Sequence, residues 1–143
     1  MVFLSQYPKT LDRKNRVSTP NAFRTVLSNE SFFGIVAVQS YSLPTIDCFG
    51  MSRMEKMSAE CDFEYPFSSE LPPMTSIFAD SHMLQFDADG RIILSESLLK
   101  HAHIEKELVF VGRGPIFQIW NPNLFKEHQD EARKKLIASK NNN

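Results

Sequence analysis

The alternation of short apolar runs with turn-forming residues occurs twice along this chain. In the first half, apolar runs at 35–38 and 46–49 are bounded by polar or turn-forming residues, as is typical of buried strands. In the second half, runs at 108–111 and 117–120 have a similar spacing. The pattern therefore predicts two copies of one unit, each with two buried strands.

A short amphipathic helix is predicted before each pair of strands. Thr19 and Ser95 are suited to cap these helices, and Pro20 suits a first helical position. The apolar stripes are Phe23, Val26 and Leu27 in the first copy and Leu98, Leu99 and Ala102 in the second. The two copies therefore agree in their helices as well as in their strands.

Further helices are predicted after each pair of strands, at about 52–57 and at 121–138. Asn121 is suited to cap the second of them, with Pro122 at its first position. Between the copies, residues 65–74 are rich in proline and predict a loop, followed by a short helix near 75–79. The last residues, 139–143, are polar and are expected to be loose.

A polar motif precedes each first helix, and 75 positions separate its two arginines, Arg16 and Arg91. Each copy runs apolar residue, Asp, two variable residues, Asn or Gly, Arg, and a β-branched apolar residue. The Asp side chain can accept hydrogen bonds from backbone N–H groups further along, and Asn or Gly tolerates positive φ. The predicted turn-forming residues are Asp12, Asn15, Asp87 and Gly90. The motif therefore predicts a tight strand-turn-strand that holds its arginine rigidly.

The formal net charge of −1 conceals a strong asymmetry. Residues 1–24 carry five cations and one anion, whereas residues 47–89 carry two cations and nine anions. Three of the N-terminal cations, Arg13, Lys14 and Arg16, lie within the first turn. Such a cluster suits phosphates or guanine edges, although exposed loop charges also serve solubility.

The second turn has the opposite balance, because Asp87 and Asp89 flank Arg91. Arg91 can pair with these carboxylates instead of binding a polyanion. The charge pattern therefore ranks Arg91 below Arg13, Lys14 and Arg16 as a candidate DNA-binding residue.

Length and composition exclude several other classes. With 143 residues, the chain fits two units of roughly 50 residues that must share a core, since each alone would bury too little surface. Cys48 and Cys61 lack the spacing of a zinc site, and no phosphate loop or nucleophile elbow is present. We expect no enzyme activity, catalytic residue, metal, cofactor or small-molecule substrate. No apolar run approaches ~20 residues and no signal-peptide layout is present, so a cytoplasmic location away from membranes is expected.

Residues 10–20, 86–91, 108–112 and 117–122 resemble the MraZ family, whose two tandem repeats belong to the AbrB-like swapped-hairpin superfamily. The resemblance implies an α+β fold, mainly β, in which two repeats form a double-ψ or swapped-hairpin barrel with short flanking helices. We expect the first repeat at 6–55, a linker at 56–81, the second repeat at 82–128, and a C-terminal helix end and tail at 129–143.

The resemblance also implies a function. Family members are nucleoid-associated transcriptional regulators, usually repressors, of the division and cell-wall gene cluster. They act as homo-oligomeric rings on tandem promoter repeats of double-stranded DNA. The positions of Lys14 and Arg16 match the family's DNA-contacting turn, Arg91 matches the equivalent place in the second repeat, and Arg13 is a local addition.

Two departures from the family pattern bear on the first turn. Asn15 replaces the usual Gly, and Pro8, which lacks a backbone donor, suits only an edge strand or a strand start. The linker also lacks the basic helix that relatives often have. An alternative function is an antitoxin-like swapped-hairpin protein whose main ligand is a protein; it expects a long disordered tail, and the loose C-terminal segment is short.

Overall fold

The computed structural model describes residues 1–61 and 71–141. The first half contains β1 (Gln6–Thr10), β2 (Arg16–Ser18), α1 (Asn21–Val26), β3 (Gly34–Gln39), β4 (Ile46–Phe49) and α2 (Met51–Glu60). The second half contains a 3₁₀ turn (Pro73–Thr75), α3 (Ser76–Asp80), β5 (His82–Gln85), β6 (Arg91–Ile93), α4 (Glu96–His101), β7 (Glu107–Gly112), β8 (Phe117–Trp120) and α5 (Pro122–Asn141).

The strands form a six-stranded antiparallel sheet in the order β1-β7-β8-β4-β3-β5 and a separate ribbon of β2 and β6. The first strand of each repeat pairs with the third strand of the other, since β1 joins β7 and β5 joins β3. The α+β swapped-hairpin class is therefore confirmed. The expected barrel is corrected in one respect: β1 and β5 remain edges, because β2 and β6 pair with each other, so the sheet is not closed.

The predicted strands are present. β4 and β8 have the predicted bounds, and β3 and β7 each extend one residue beyond the predicted apolar run at both ends. Pro8 lies in β1, at the edge of the sheet, where a missing backbone donor is tolerated. The predicted apolar runs are thus the largely buried strands of the sheet.

The helix caps follow the prediction in two of three cases. The Ser95 hydroxyl accepts the N–H of Leu98 at 3.3 Å, and Asn121 Oδ1 accepts the N–H groups at the start of α5. The predicted Thr19 cap is wrong, because Pro20 occupies the cap position with extended ψ and α1 begins at Asn21. Thr19 thus lies one residue too early, and its side chain is buried.

Both repeats contribute to one aromatic core. Phe23 of α1 packs 4.7 Å from Phe117 of β8 and 5.3 Å from Phe3, measured between ring centroids. Cys48 is fully buried in its strand, as predicted, and burial raises the pKa of its thiol. Neither repeat can therefore be removed without opening the core of the other.

The segments around the second repeat differ from expectation in one place. The predicted short helix near 75–79 is confirmed as α3, whereas most of the predicted loop at 65–74 lies outside the described residues. The expected loose tail is wrong for residues 139–141, because no Gly or Pro interrupts α5 before Asn141; residues 142 and 143 lie outside the described part. None of the helices in the described ranges is long and apolar enough to cross a membrane.

Candidate nucleic-acid interface

The first turn is closed by the Asp12 side chain. Its Oδ1 accepts the backbone N–H groups of Lys14 and Arg16, both at 2.9 Å. Asn15 has φ +60°, and its N–H donates to the Asp12 carbonyl oxygen at 3.1 Å. Three backbone N–H groups therefore donate to Asp12, and Asn15 takes the left-handed position that a glycine would otherwise fill.

The second turn repeats this geometry. Asp87 Oδ1 accepts the N–H groups of Asp89 and Arg91 at 2.8 and 2.9 Å. Gly90 has φ +76°, and its N–H donates to the Asp87 carbonyl oxygen at 3.0 Å. The structure thus places all four sequence-predicted turn residues at equivalent positions in two matching turns.

The two arginines differ in how much of the guanidinium group is engaged. Arg16 Nε donates to Asp12 Oδ2 at 2.6 Å, and Arg91 Nε donates to Asp87 Oδ2 at 2.8 Å. A terminal N–H of Arg91 also donates to Asp89 Oδ2 at 3.0 Å. Within residues 1–61 and 71–141, Arg16 has no second partner of this kind, so both of its terminal nitrogens remain available.

The neighbouring cations reinforce this difference. Arg13 and Lys14 are exposed at the tip of the first turn, and neither forms an ion pair with any residue in the described part of the chain. The corresponding positions of the second turn are Ala88 and Asp89. The first turn is therefore basic and the second is not.

The carboxylates of both turns are stabilised in the ionised form. The pKa of Asp12 is lowered chiefly by the Arg16 backbone N–H, and that of Asp87 chiefly by the Arg91 backbone N–H. The pKa of Arg91 is raised chiefly by its hydrogen bond to Asp87, with a smaller effect of Asp12 from the other turn. The two turns therefore lie close enough to influence each other electrostatically.

The ribbon of β2 and β6 connects the two turns. Val17 lies opposite Ile92 and both are buried, whereas Ser18 lies opposite Arg91 on the outward side. Because side chains alternate between the two faces of a strand, Arg16 also projects from this outward face. The structure thus brings Arg16 and Arg91 onto one surface, with the first turn at one end and the second turn at the other.

Backbone hydrogen bonds outside the ribbon fix its two ends. The Leu94 N–H donates to the Asn15 carbonyl oxygen at 2.9 Å, and the Thr19 N–H donates to the Gly90 carbonyl oxygen at 3.1 Å. Each turn is therefore tied to the strand of the other repeat. The separation of the two turns is set by a hydrogen-bonded framework and not by flexible side chains.

Arg24 is a cation beside this surface that the sequence analysis did not single out. Its Nε donates to the Thr19 carbonyl oxygen at 3.2 Å, and a terminal nitrogen donates to Asn21 Oδ1. Its side chain lies against Gly90, where an added Cβ would stand only 2.8 Å from Arg24 Cδ. Its position in the N-terminal basic segment was a signal, but the helix register alone could not show that it reaches the second turn.

Among the residues that the structure describes, no three His, Cys, Asp or Glu side chains are placed to hold a metal ion. The groups that the ribbon presents are guanidinium and ammonium groups beside an ordered backbone, and such groups bind phosphates and base edges.

Comparison with known proteins gives consistent matches. A sequence model of the family described as "MraZ protein, putative antitoxin-like" matches residues 77–142. The protein named Transcriptional regulator MraZ from Pelagibacter ubique (strain HTCC1062) is 44% identical over 135 residues, which cover 94% of this chain and 87% of the relative. The protein of the same name from Rickettsia akari (strain Hartford) is 43% identical over 134 residues, covering 93% and 90%. These two matches span both hairpin repeats.

Proposed function

Because this chain belongs to the MraZ family, we propose that it regulates transcription by binding duplex DNA. The names of its relatives support the regulatory role. We further propose that it acts in the cytoplasm on the nucleoid, as a repressor of the division and cell-wall gene cluster.

The observation that carries this proposal is the way in which Asp12 holds Arg16. The Asp12 carboxylate engages only Nε and the backbone N–H of Arg16, and the two terminal nitrogens have no partner among the described residues. This is the part of the guanidinium group that makes paired hydrogen bonds to guanine O6 and N7 in the major groove. Arg16 is therefore the proposed base-reading residue.

The exposed cations beside Arg16 are the proposed phosphate contacts. Arg13 and Lys14 extend from the tip of a turn whose backbone is fixed by hydrogen bonds. Contacts to phosphate oxygens position a protein on DNA and carry no sequence information directly. We assign Lys14 and Arg13 to positioning and Arg16 to sequence recognition.

The dimensions of the ribbon support entry into the major groove. Four residue steps from Asn15 to Thr19 span about 14 Å at ~3.4 Å per residue. The major groove is about 12 Å wide and admits a two-stranded ribbon. Arg91 faces the same way as Arg16, but Asp87 and Asp89 both engage it, so we assign it a smaller share of the binding energy.

Self-association into a ring is part of the proposal. One ribbon offers few contacts and a small basic surface, which gives weak binding by itself. Several ribbons on a rigid ring would raise the effective concentration of each at tandem promoter repeats. We propose such a homo-oligomeric ring, which light scattering would test through the mass of the particle in solution.

The test of DNA binding uses a duplex from the region upstream of the protein's own gene and a shuffled duplex of equal length. Gel-shift titrations at several salt concentrations should show preference for the upstream duplex. A triple alanine variant of Arg13, Lys14 and Arg16 should lose this preference. A matched triple alanine variant of Arg133, Lys134 and Lys135, which are exposed on α5, should keep it.

Equal binding to both duplexes by the unaltered protein would contradict the proposed function. Loss of binding in the α5 variant but not in the turn variant would instead move the site to the C-terminal helix.

The alternative is an antitoxin-like protein whose main ligand is another protein, which the wording of the matching family favours. It expects a C-terminal segment that orders on its partner, whereas α5 is already helical to Asn141. It would gain support if the turn variants lost DNA binding while the protein kept its effect in the cell.

A further inference from the structure

The second turn carries a cation that belongs to the first repeat. Arg24 reaches it from α1, and its guanidinium group lies over the backbone of Gly90. Gly90 is buried although it sits in a surface turn, and Arg24 is half-buried. A Cβ added at Gly90 would displace the Arg24 side chain, and φ +76° also favours glycine at this position.

The partners of Arg24 leave its charge uncompensated. Its two side-chain hydrogen bonds go to the Thr19 carbonyl oxygen and to the Asn21 amide oxygen, both of which are neutral. No carboxylate in the described residues forms an ion pair with it. In contrast, both acidic side chains of the second turn are engaged by Arg91. Of the two cations at this turn, Arg24 is therefore the one whose positive charge is not paired with a carboxylate among the described residues.

We propose that Arg24 is a phosphate-contacting residue, which holds the DNA backbone at the second-turn end of the ribbon. The inference rests on the proposed function and adds a contact that the hairpin motif does not contain. The hydrogen bonds to Thr19 and Asn21 fix the guanidinium group before binding, so little side-chain freedom is lost when a phosphate is bound.

The geometry of the ribbon gives this contact a role. The first turn and Arg24 lie at opposite ends of the ribbon, the turn at Asn15 and Arg24 at Thr19. The two ends are about 14 Å apart at ~3.4 Å per residue. Placed across a groove about 12 Å wide, the ribbon meets one DNA strand at each end. Lys14 and Arg24 would then grip the two strands on either side of the bases that Arg16 reads.

The test compares Arg24→Gln with Arg53→Gln, a control that removes the same charge from an exposed position on α2. Affinity for the upstream duplex and for the shuffled duplex is measured between 50 and 200 mM salt. Arg24→Gln should weaken both by a similar factor and reduce the slope of log affinity against log salt by about 0.9 for each bound subunit. Arg53→Gln should match the unaltered protein.

A second variant, Arg24→Lys, distinguishes a phosphate contact from a purely structural role, and thermal unfolding measures the stability of both variants. A lysine keeps the positive charge but cannot reproduce the paired hydrogen bonds to Thr19 and Asn21. Retention of the full salt slope by Arg24→Lys, with loss of slope in Arg24→Gln, supports a phosphate contact. Equal losses in both variants, or no loss in Arg24→Gln, would overturn it.

The outcome can be distinguished from failure of the proposed function. If the turn variants lose preference for the upstream duplex while Arg24→Gln binds normally, DNA binding stands and the Arg24 contact is wrong. If the unaltered protein has no preference for the upstream duplex, both proposals fail.

Discussion

The Asp12 carboxylate binds Arg16 at two points, accepting its backbone N–H at 2.9 Å and its Nε at 2.6 Å. The same carboxylate therefore closes the turn and sets the direction of the guanidinium group. A residue that is acidic, and so repels DNA by its charge, thus prepares the residue that we propose to read it.

Replacing Asp12 with Asn should reduce sequence discrimination more than overall binding. The Asn carbonyl can still accept backbone N–H groups, but its amide cannot accept Arg16 Nε, so the guanidinium group loses its fixed direction. We expect preference for the upstream duplex over the shuffled duplex to fall roughly tenfold, within the range for one guanine contact.

Binding of Asp12→Asn to the shuffled duplex should stay equal or become slightly tighter, because one negative charge is removed. Asp130→Asn on α5 is the matched control and should leave both affinities unchanged. An unaltered preference in Asp12→Asn would show that Asp12 serves the turn alone.

Replacement of Arg16 by alanine should reduce sequence preference, whereas replacement of Lys14 should reduce affinity for any duplex. Arg16→Ala should cost about 1–3 kcal/mol of binding free energy on the upstream duplex and much less on the shuffled one. Lys14→Ala should weaken both duplexes alike and lower the salt slope by about 1. Titration of both variants on both duplexes at three salt concentrations separates these results, and identical profiles would refute the division of roles.

Arg91→Ala should reduce affinity less than Arg16→Ala. Two carboxylates already engage the Arg91 side chain, so less of its hydrogen-bonding capacity is available to DNA. Gel-shift titration under the same conditions ranks the two variants. A larger loss in Arg91→Ala would mean that the second turn, despite its acidic residues, carries the recognition.

Thr19 and Ser95 were both predicted as helix caps but should respond oppositely to removal of the hydroxyl group. Ser95→Ala removes a helix cap and should lower the free energy of unfolding by about 1 kcal/mol. The Thr19 hydroxyl is buried with no hydrogen-bond partner in the described part of the chain, so Thr19→Val should be neutral or stabilising by about 1 kcal/mol. Denaturant unfolding of both variants is the measurement; marked destabilisation by Thr19→Val would contradict the assignment.

Stability should fall on acidification because of the two turns. The pKa values of Asp12 and Asp87 are lower in the folded chain than in the unfolded one, so their contribution is complete above the unfolded value. It is lost as the pH falls from the ordinary Asp pKa of 3.8 through the lowered values. The midpoint temperature of thermal unfolding should therefore fall more steeply over this pH range for the unaltered protein than for an Asp12→Asn, Asp87→Asn double variant. Parallel curves would contradict this.

Most strands and helices could be predicted from the sequence because apolar runs and turn residues close to each other in the chain determine them. Strands β4 and β8 have the predicted bounds, since each is a four-residue run with three apolar side chains, bounded by turn-forming or polar residues. The Thr19 cap failed because Pro20 took the cap position, a choice between neighbours that cap preferences alone do not decide. The helical end of α5 was missed because polar composition was taken as a sign of disorder.

Long-range relationships were beyond the local patterns. The position of Arg24 against Gly90 depends on β2 and β6 pairing between repeats, which helix periodicity cannot reveal. The pairing of Arg91 with acidic neighbours was foreseen from sequence proximity. The different freedom of Arg16, whose Nε alone is engaged, required the side-chain geometry.

The exchange of β1 and β5 has a consequence for the origin of this architecture. A shorter chain with one repeat would lack a partner for its first strand and would leave one edge of its third strand unpaired. Two such chains would complete each other by the same pairings, as a symmetric dimer. The present chain is equivalent to that dimer fused end to end, and fusion releases its halves from identity: one hairpin can be cationic while its twin is acidic.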